Sequence, residues 1–136
     1  MVKFDERAIL DNGAYIYAMR QEIEAIADAV CEKGFDNILF TASGGSLAMM
    51  QPFDYMISVM SGLDVRSQVS AELLGVGNNR LTDRTLVFMA SKSGDTKETV
   101  EAAGYVKEKG AAIISVLGVE GSPLGGLSDY TVVYKD

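Results

Sequence analysis

Two hydrophobic patterns alternate along this chain. The stretch 12–33 repeats apolar residues at intervals of three and four, which predicts a single amphipathic helix that Gly34 ends. Short runs follow it that are mostly apolar, apart from the more polar 65–69, and such runs between turn residues indicate strands, with 112–117 expected in the sheet interior. The helical stripe consists of Ile16, Met19, Ile23, Ile26 and Val30, and strands are predicted at 37–42, 65–69, 85–90, 112–117 and 130–134.

A second helix is predicted after the first strand. The stretch 47–60 is mostly apolar, and Pro52 within it is expected either to kink the helix or to delay its start beyond Ser46. Methionine packs readily into irregular interiors, so the methionines of this helix are expected to fill the core. They are Met49, Met50, Met56 and Met60.

Strands and helices continue to alternate up to the last strand. A turn or brief helix is expected at 70–75, a longer helix at 97–109 and a single helical turn from Ser122-Pro123. Such alternation produces right-handed crossovers and a parallel sheet with helices on both faces. We therefore predict an α/β fold, a three-layer sandwich with a mostly parallel five-stranded sheet of the flavodoxin or Rossmann type.

Composition limits what this fold can do. The 136 residues, 48% of them hydrophobic, suffice for one domain spanning 1–136. A net charge of -7 with scattered basic residues argues against a nucleic acid or an anionic membrane as partner. No apolar run has the length of a signal peptide core or a membrane helix. Cys31, the single cysteine, is expected to be a small packed residue and is compatible with a reducing compartment, so we predict a cytoplasmic location.

Two hydroxyl-rich loops follow predicted strands and precede predicted helices. Residues 91–96 read SKSGDT, and residues 43–46 read SGGS. A loop of this kind presents hydroxyls and backbone N–H groups at a helix N-terminus, where the helix dipole favours an anion. Since ligands of parallel α/β sheets bind at the carboxyl ends of the strands, both loops are expected to face one ligand.

The same segments carry a family resemblance. SKSGDT resembles the phosphate loop of the sugar isomerase (SIS) domain family, and SGGS resembles that family's first sugar-binding loop. The order of elements and Ser122-Pro123-Leu124 before the last strand also match, so the resemblance covers nearly the whole chain. It implies the SIS fold and a phosphorylated sugar or amino sugar as ligand. By resemblance, that ligand would contact Ser43, Gly45, Ser46, Ser91, Lys92, Ser93 and Thr96, with Lys92 adding positive charge.

Each loop also has a purely structural interpretation. Asp95 is a good helix N-cap and Glu98 would complete a capping box with it, so Asp95, Thr96 and Glu98 could serve only to start a helix. Capping requires neither Ser91 nor Ser93, which favours the anion site. The glycines of the first loop could serve only a tight turn.

Catalytic residues are harder to locate than binding residues. Moving a carbonyl between two sugar carbons requires a general base, commonly a carboxylate, and the chain has no histidine. Glu72 follows a predicted strand and is the candidate base, although it could equally be a solvated glutamate at the start of a short helix. No clustered metal ligands and no nucleotide-binding loop are apparent, so no metal and no cofactor are expected.

The resemblance suggests a role and an assembly. It implies the phosphosugar-binding domain, and the N-terminal half, of a two-domain sugar phosphate isomerase or fructosamine-6-phosphate deglycase. In that family the principal catalytic groups lie in a second SIS domain or a partner subunit, so the chain by itself is expected to lack a full catalytic set. A homodimer or pairing with a second SIS domain is therefore predicted. The alternative is a non-catalytic SIS module that senses a phosphosugar for a regulator.

Overall fold

The computed structural model describes residues 5–135, in which helices and strands alternate after a helical pair. The helices are α1 (Glu6–Ala18), α2 (Arg20–Lys33), α3 (Gly44–Met60), α4 (Ser70–Val76), α5 (Lys97–Glu108) and α6 (Pro123–Leu127). The strands are β1 (Asn37–Ala42), β2 (Asp64–Val69), β3 (Thr85–Ser91), β4 (Ala112–Leu117) and β5 (Tyr130–Val133). All five predicted strands are therefore present, with ends within one residue of the prediction.

The strands form one parallel sheet in the order β2-β1-β3-β4-β5. This arrangement confirms the predicted three-layer α/β class. The chain runs from β1 outward to β2 and then returns to the other side of β1 with β3, so the strand order reverses between β1 and β3. Such a topological switch point leaves a crevice at the carboxyl ends of the two strands.

Each face of the sheet has its own apolar core. Residues that alternate along a strand point to opposite faces, and β4 shows this directly. Ile113 belongs to the cluster shared with α4, α5 and α6, whereas Ile114 belongs to the cluster shared with α2 and α3. Most members of the first cluster are completely buried, including Leu73, Met89 and Val106.

The predicted first helix is wrong in its extent. Two helices, α1 and α2, occupy the region, and they meet at Met19. The first begins at Glu6 because the Asp5 carboxylate accepts a hydrogen bond from the Ala8 N–H, at 3.1 Å, and so caps it. Ile16, predicted to lie on the apolar stripe, is 58% exposed, and none of the residues of α1 is buried. Gly34 does end α2, with a positive φ of 75°.

Helix α3 also departs from the prediction. It begins at Gly44 and continues through Pro52, so the predicted late start is wrong. Its contact with the sheet is narrow and uses Leu47, Met50 and Ile57. Of the four methionines predicted to be core residues, only Met50 is buried, and Met49, Met56 and Met60 are exposed. Cys31, predicted to be packed, is exposed as well.

Candidate functional site

The two hydroxyl-rich loops lie side by side at the switch point. In the register of β1 and β3, Ala42 is opposite Ala90, so Ser43 and Ser91 occupy equivalent positions at the ends of neighbouring strands. We call residues 91–96 the anion loop and residues 43–46 the first loop. Each leads into a helix, α5 and α3 respectively, so both helix N-termini lie at this end of the sheet. The topology therefore brings the two predicted loops to one site.

Ser91 organises the anion loop from within. Its side chain is 97% buried, and its Oγ accepts a hydrogen bond from the Gly94 N–H at 3.0 Å and lies 3.1 Å from Thr96 Oγ1. Ser93 is exposed and Thr96 is half-buried. A hydroxyl can donate one hydrogen bond and accept two, so the loop retains polar capacity toward a ligand. The Ser91 hydroxyl thus stabilises the turn from within, whereas Ser93 is exposed to solvent.

The helix cap differs from the predicted one. Helix α5 begins at Lys97, its N-cap is Thr96, and no side-chain cap hydrogen bond is formed. Asp95 is exposed and lies one residue too early, so the predicted Asp95–Glu98 capping box is wrong. The reason is that the Thr96 hydroxyl bonds to Ser91 instead of capping the helix. The first amides of an α-helix have no intrahelical acceptor, so those at the start of α5 are left available to an anion.

Thr99 joins the two loops, and the sequence reasoning did not single it out. It lies in the first turn of α5, is 1% exposed, and its Oγ1 is 3.2 Å from Ser43 Oγ. A threonine on the otherwise apolar inner face of α5 was the available signal. Ser46 is half-buried, while Gly44 and Gly45 are exposed at the start of α3. Gly44 has a φ of 55°, which a residue with a side chain rarely adopts.

Glu72 lies apart from both loops. It is exposed in the first turn of α4, beside an open groove of about 290 Å³ that is lined by polar residues of β2 and the loop after α4. None of the residues of the anion loop or the first loop lines that groove. The start of α4 is joined to β1, because Ser70 Oγ lies 3.2 Å from Thr41 Oγ1, and both residues are fully buried. The structure thus brings the seven predicted binding residues to one edge and leaves Glu72 beside it.

The anion loop carries side chains of both charges. Lys92 and Asp95 are both exposed on it. The Lys92 carbonyl accepts a hydrogen bond from the Gly118 N–H at 3.1 Å, which anchors the loop to the segment after β4. Hydroxyls, backbone N–H groups and the α5 dipole are the other groups of this loop that favour an anion.

Residues 5–135 contain neither a cluster of metal ligands nor a membrane-spanning helix. Among these residues no group of three or more histidine, cysteine, aspartate or glutamate side chains could hold a metal ion. None of the helices in this part of the chain is long and apolar enough to cross a membrane.

The fold and its two loops define a sugar isomerase type of domain, and comparison with known proteins agrees. The chain belongs to the SIS domain family, whose model matches residues 34–135. Fructosamine deglycase FrlB of Bacillus subtilis is 32% identical over 117 residues, which make up 85% of this chain and 36% of the deglycase. The isomerizing glutamine–fructose-6-phosphate aminotransferase of Methanococcus maripaludis is 33% identical over 129 residues, or 95% of this chain and 20% of that protein.

A solved structure gives the same result. A protein of Salmonella typhimurium put forward as a phosphosugar isomerase superposes with a TM-score of 0.77 and 32% identity, covering 83% of this chain and 34% of that one. The chain thus spans about a third or less of each of these three proteins. The predicted family is confirmed, and the similarity concerns one domain of longer relatives.

Proposed function

We propose that this chain binds a phosphorylated sugar or amino sugar, as the binding domain of a sugar phosphate isomerase or a fructosamine-6-phosphate deglycase. The observation that carries the proposal is the meeting of the anion loop and the first loop at the switch point, joined by the contact of Ser43 with Thr99. Two of the similar proteins, by their names, act on a fructosamine or on fructose 6-phosphate. This supports a phosphorylated ketose or its amino derivative as the ligand class.

The proposed division of labour follows the geometry. The phosphate would be held by the hydroxyls of Ser91, Ser93 and Thr96 and by the first amides of α5, because these groups share one turn. Ser43, Gly45 and Ser46 would contact the phosphate or the sugar from the first loop. Lys92 would add a positive charge at the rim. Loop groups that are already ordered lower the entropic cost of binding the anion.

Catalysis requires a group beyond this loop pair. Glu72 stays the candidate base of this chain, since α4 follows β2 at the same end of the sheet. We propose that a second SIS domain or a partner subunit supplies the rest of the catalytic set. On this proposal residues 1–136 form the N-terminal half of a longer cytoplasmic enzyme, and the single exposed cysteine is compatible with a reducing compartment.

The outer face of α3 supports a pairing of this kind. Phe53, Tyr55, Val59 and Met60 are each more than half exposed. Asp54 is the only charged residue of the helix, and its carboxylate accepts a hydrogen bond from the Ser67 hydroxyl at 2.7 Å. Several exposed large apolar side chains on one helix are typical of protein contacts. We propose that this outer face is covered in a homodimer or by a second SIS domain.

A two-dimensional amide NMR titration tests the binding proposal. The wild-type chain, Ser93→Ala and Ser61→Ala are titrated with fructose 6-phosphate, inorganic phosphate and unphosphorylated fructose. Ser61 is a matched control because its hydroxyl bonds to the Ile57 carbonyl at the far end of α3. We expect shifts at residues 43–46 and 91–99 with the phosphosugar, and an affinity at least tenfold lower in Ser93→Ala, since a hydrogen bond to a charged group is lost.

Two outcomes would count against this function. Equal affinity for fructose and fructose 6-phosphate would show that the loop does not hold the phosphate. An absence of loop shifts at millimolar ligand would reduce the anion loop to the start of a helix. Turnover separates the enzyme from the sensor alternative: an enzyme domain should gain activity when the second half is supplied, whereas a sensor should bind tightly and turn nothing over.

A further inference from the structure

Gly94, at the centre of the anion loop, lies in direct contact with Ser122 of the segment between β4 and α6. Gly94 has a φ of 70°, and a Cβ added there would lie 2.1 Å from Ser122 Oγ and 2.3 Å from Ser122 Cβ. The Gly94 carbonyl accepts a hydrogen bond from the Leu124 N–H at 2.9 Å. Since both the backbone conformation and the space exclude a side chain, the position of Gly94 is set by what packs beneath it.

The Ser122 hydroxyl is buried without a partner. Ser122 is 6% exposed, and among residues 5–135 its Oγ has no hydrogen-bond partner. It is the N-cap residue of α6 but makes no side-chain cap hydrogen bond. Ser128, at the other end of α6, shows the usual arrangement, because its hydroxyl donates to the Leu124 carbonyl at 2.8 Å. Burying an unpaired hydroxyl is unfavourable, and an alanine would fill the same space without that cost.

Neither packing nor capping therefore explains why residue 122 is a serine. The contact with Gly94 places the unpaired hydroxyl directly under the anion loop. Buried polar groups without a partner are few in native structures, and violations of this kind are expected at functional sites. Here the candidate functional site is the anion loop.

We propose that Ser122 is a positioning residue of the anion loop. Its side chain supports Gly94 in the unliganded domain, and its hydroxyl pairs with the backbone of residues 92–95 when a phosphosugar is bound. The inference rests on the proposed phosphosugar-binding function and adds a residue that does not itself touch the ligand. It predicts opposite effects of one substitution on stability and on affinity, which a merely structural serine would not produce.

The test compares three variants of the full chain. Ser122→Ala removes the hydroxyl and keeps the contact with Gly94, Ser122→Val adds bulk against it, and Ser128→Ala removes a paired hydroxyl of the same helix. For each, the thermal midpoint, the amide spectrum of residues 91–97 without ligand, and the affinities for fructose 6-phosphate and inorganic phosphate are measured.

For Ser122→Ala we expect an unchanged or higher thermal midpoint, an almost unchanged unliganded spectrum and an affinity for both ligands at least fivefold lower. Ser122→Val should shift the amides of the anion loop even without ligand, because the added methyl groups displace Gly94. Ser128→Ala should lower the midpoint and keep the affinity.

Three outcomes would overturn the inference. Wild-type affinity in Ser122→Ala would show that the hydroxyl has no role in binding. A lower midpoint in Ser122→Ala would show that the hydroxyl is paired in the resting state and is structural. If the wild type and Ser128→Ala both fail to bind either ligand, the proposed function itself is wrong, and the role of Ser122 falls with it.

Discussion

The two faces of the sheet are packed to different degrees. On the face covered by α4, α5 and α6, Leu73, Val106, Ile113 and Leu124 have no exposed surface. On the face covered by α2 and α3, an apolar groove of about 410 Å³, partly open to solvent, lies between the helices and the sheet. Protein interiors are normally close-packed. The face covered by α4, α5 and α6 is therefore fully packed, and we call it the closed face. The face covered by α2 and α3, which we call the open face, leaves apolar surface exposed.

The candidate site depends on the closed face. Thr99 and Ser122, which contact Ser43 and Gly94, sit on α5 and beside α6, the helices of that face. A ligand site benefits from rigid support, because the groups that meet the ligand are then ordered in advance. The open face contributes through α3, whose first residues form part of the first loop. The contacts beneath the two loops thus lie on the closed face, whereas most of the exposed apolar side chains of α3 lie outside it.

The largest expected difference in stability between the two faces concerns two neighbouring residues of β4. Ile113 is completely buried on the closed face, whereas Ile114 lines the groove of the open face. We expect Ile113→Ala to lower the free energy of unfolding by about 4 kcal/mol and Ile114→Ala by about 2 kcal/mol or less, because a side chain that faces a groove has fewer packing contacts to lose. Urea unfolding of both variants measures the difference.

The substitutions themselves are identical, so strand propensity and lost side-chain volume cancel in the comparison. Equal losses for the two variants would mean that the open face packs as tightly as the closed one in solution. A larger loss for Ile114→Ala would reverse the assignment of the two faces.

The sequence predicted the buried strands better than the exposed surface of the open face. The buried strands β1, β3 and β4 are short, mostly apolar runs between turn residues, so their bounds were predicted within a residue. The exposed methionines of α3 were wrongly predicted to be buried. A mostly apolar sequence predicts a buried helix in either case, whether its own chain or another surface covers the helix. The spacing of apolar residues predicts which side chains avoid water. It does not show whether the same chain or another chain covers them.

The site shows a comparable limit. The anion loop and the first loop could be predicted because strand, hydroxyl-rich turn and helix follow one another in sequence. Thr99 and Ser122 could not, because their roles depend on contacts with Ser43 and Gly94, which are 56 residues away in the first case. The exact start of α5 also depended on such a contact, since Thr96 bonds to Ser91 and leaves Asp95 outside the helix.

A second comparison adds volume to each face instead of removing it. Ala103 is completely buried on the closed face, while Ala27 of α2 is exposed at the groove of the open face. We expect Ala103→Leu to destabilise the chain by about 1–3 kcal/mol through overpacking. Ala27→Leu should stabilise it by about 0.5–1 kcal/mol by covering apolar surface in the groove. Thermal unfolding followed by circular dichroism distinguishes the signs, and destabilisation by both changes would show that the groove has no room for the larger side chain.

A third prediction concerns the contact between the two loops. Thr99→Val keeps the shape of the side chain and removes the hydroxyl that meets Ser43 Oγ at 3.2 Å. Loss of one hydrogen bond of this kind should cost about 1 kcal/mol of stability and leave Ser43 without its partner. Amide exchange of residues 43–46 should accelerate, because the first loop then loses its tie to α5. Thr131→Val on β5 is the matched control, and equal exchange in the two variants would show that the contact does not order the loop.

The smallest expected change in the free energy of unfolding concerns the exposed surface of α3. Met60 is 79% exposed at the last position of the helix. Met60→Lys should change the free energy of unfolding by less than about 0.5 kcal/mol, because an exposed side chain is replaced and a positive charge suits a helix C-terminus. If α3 meets a second copy of the chain, the same lysine should weaken that association, since a charge would be buried in an apolar contact. Sedimentation equilibrium at several concentrations measures this, with Gln21→Lys on α2 as the control for added charge. A loss of more than 1 kcal/mol in monomer stability would instead mean that Met60 packs within its own chain, and the open face would then be smaller than its exposed residues indicate.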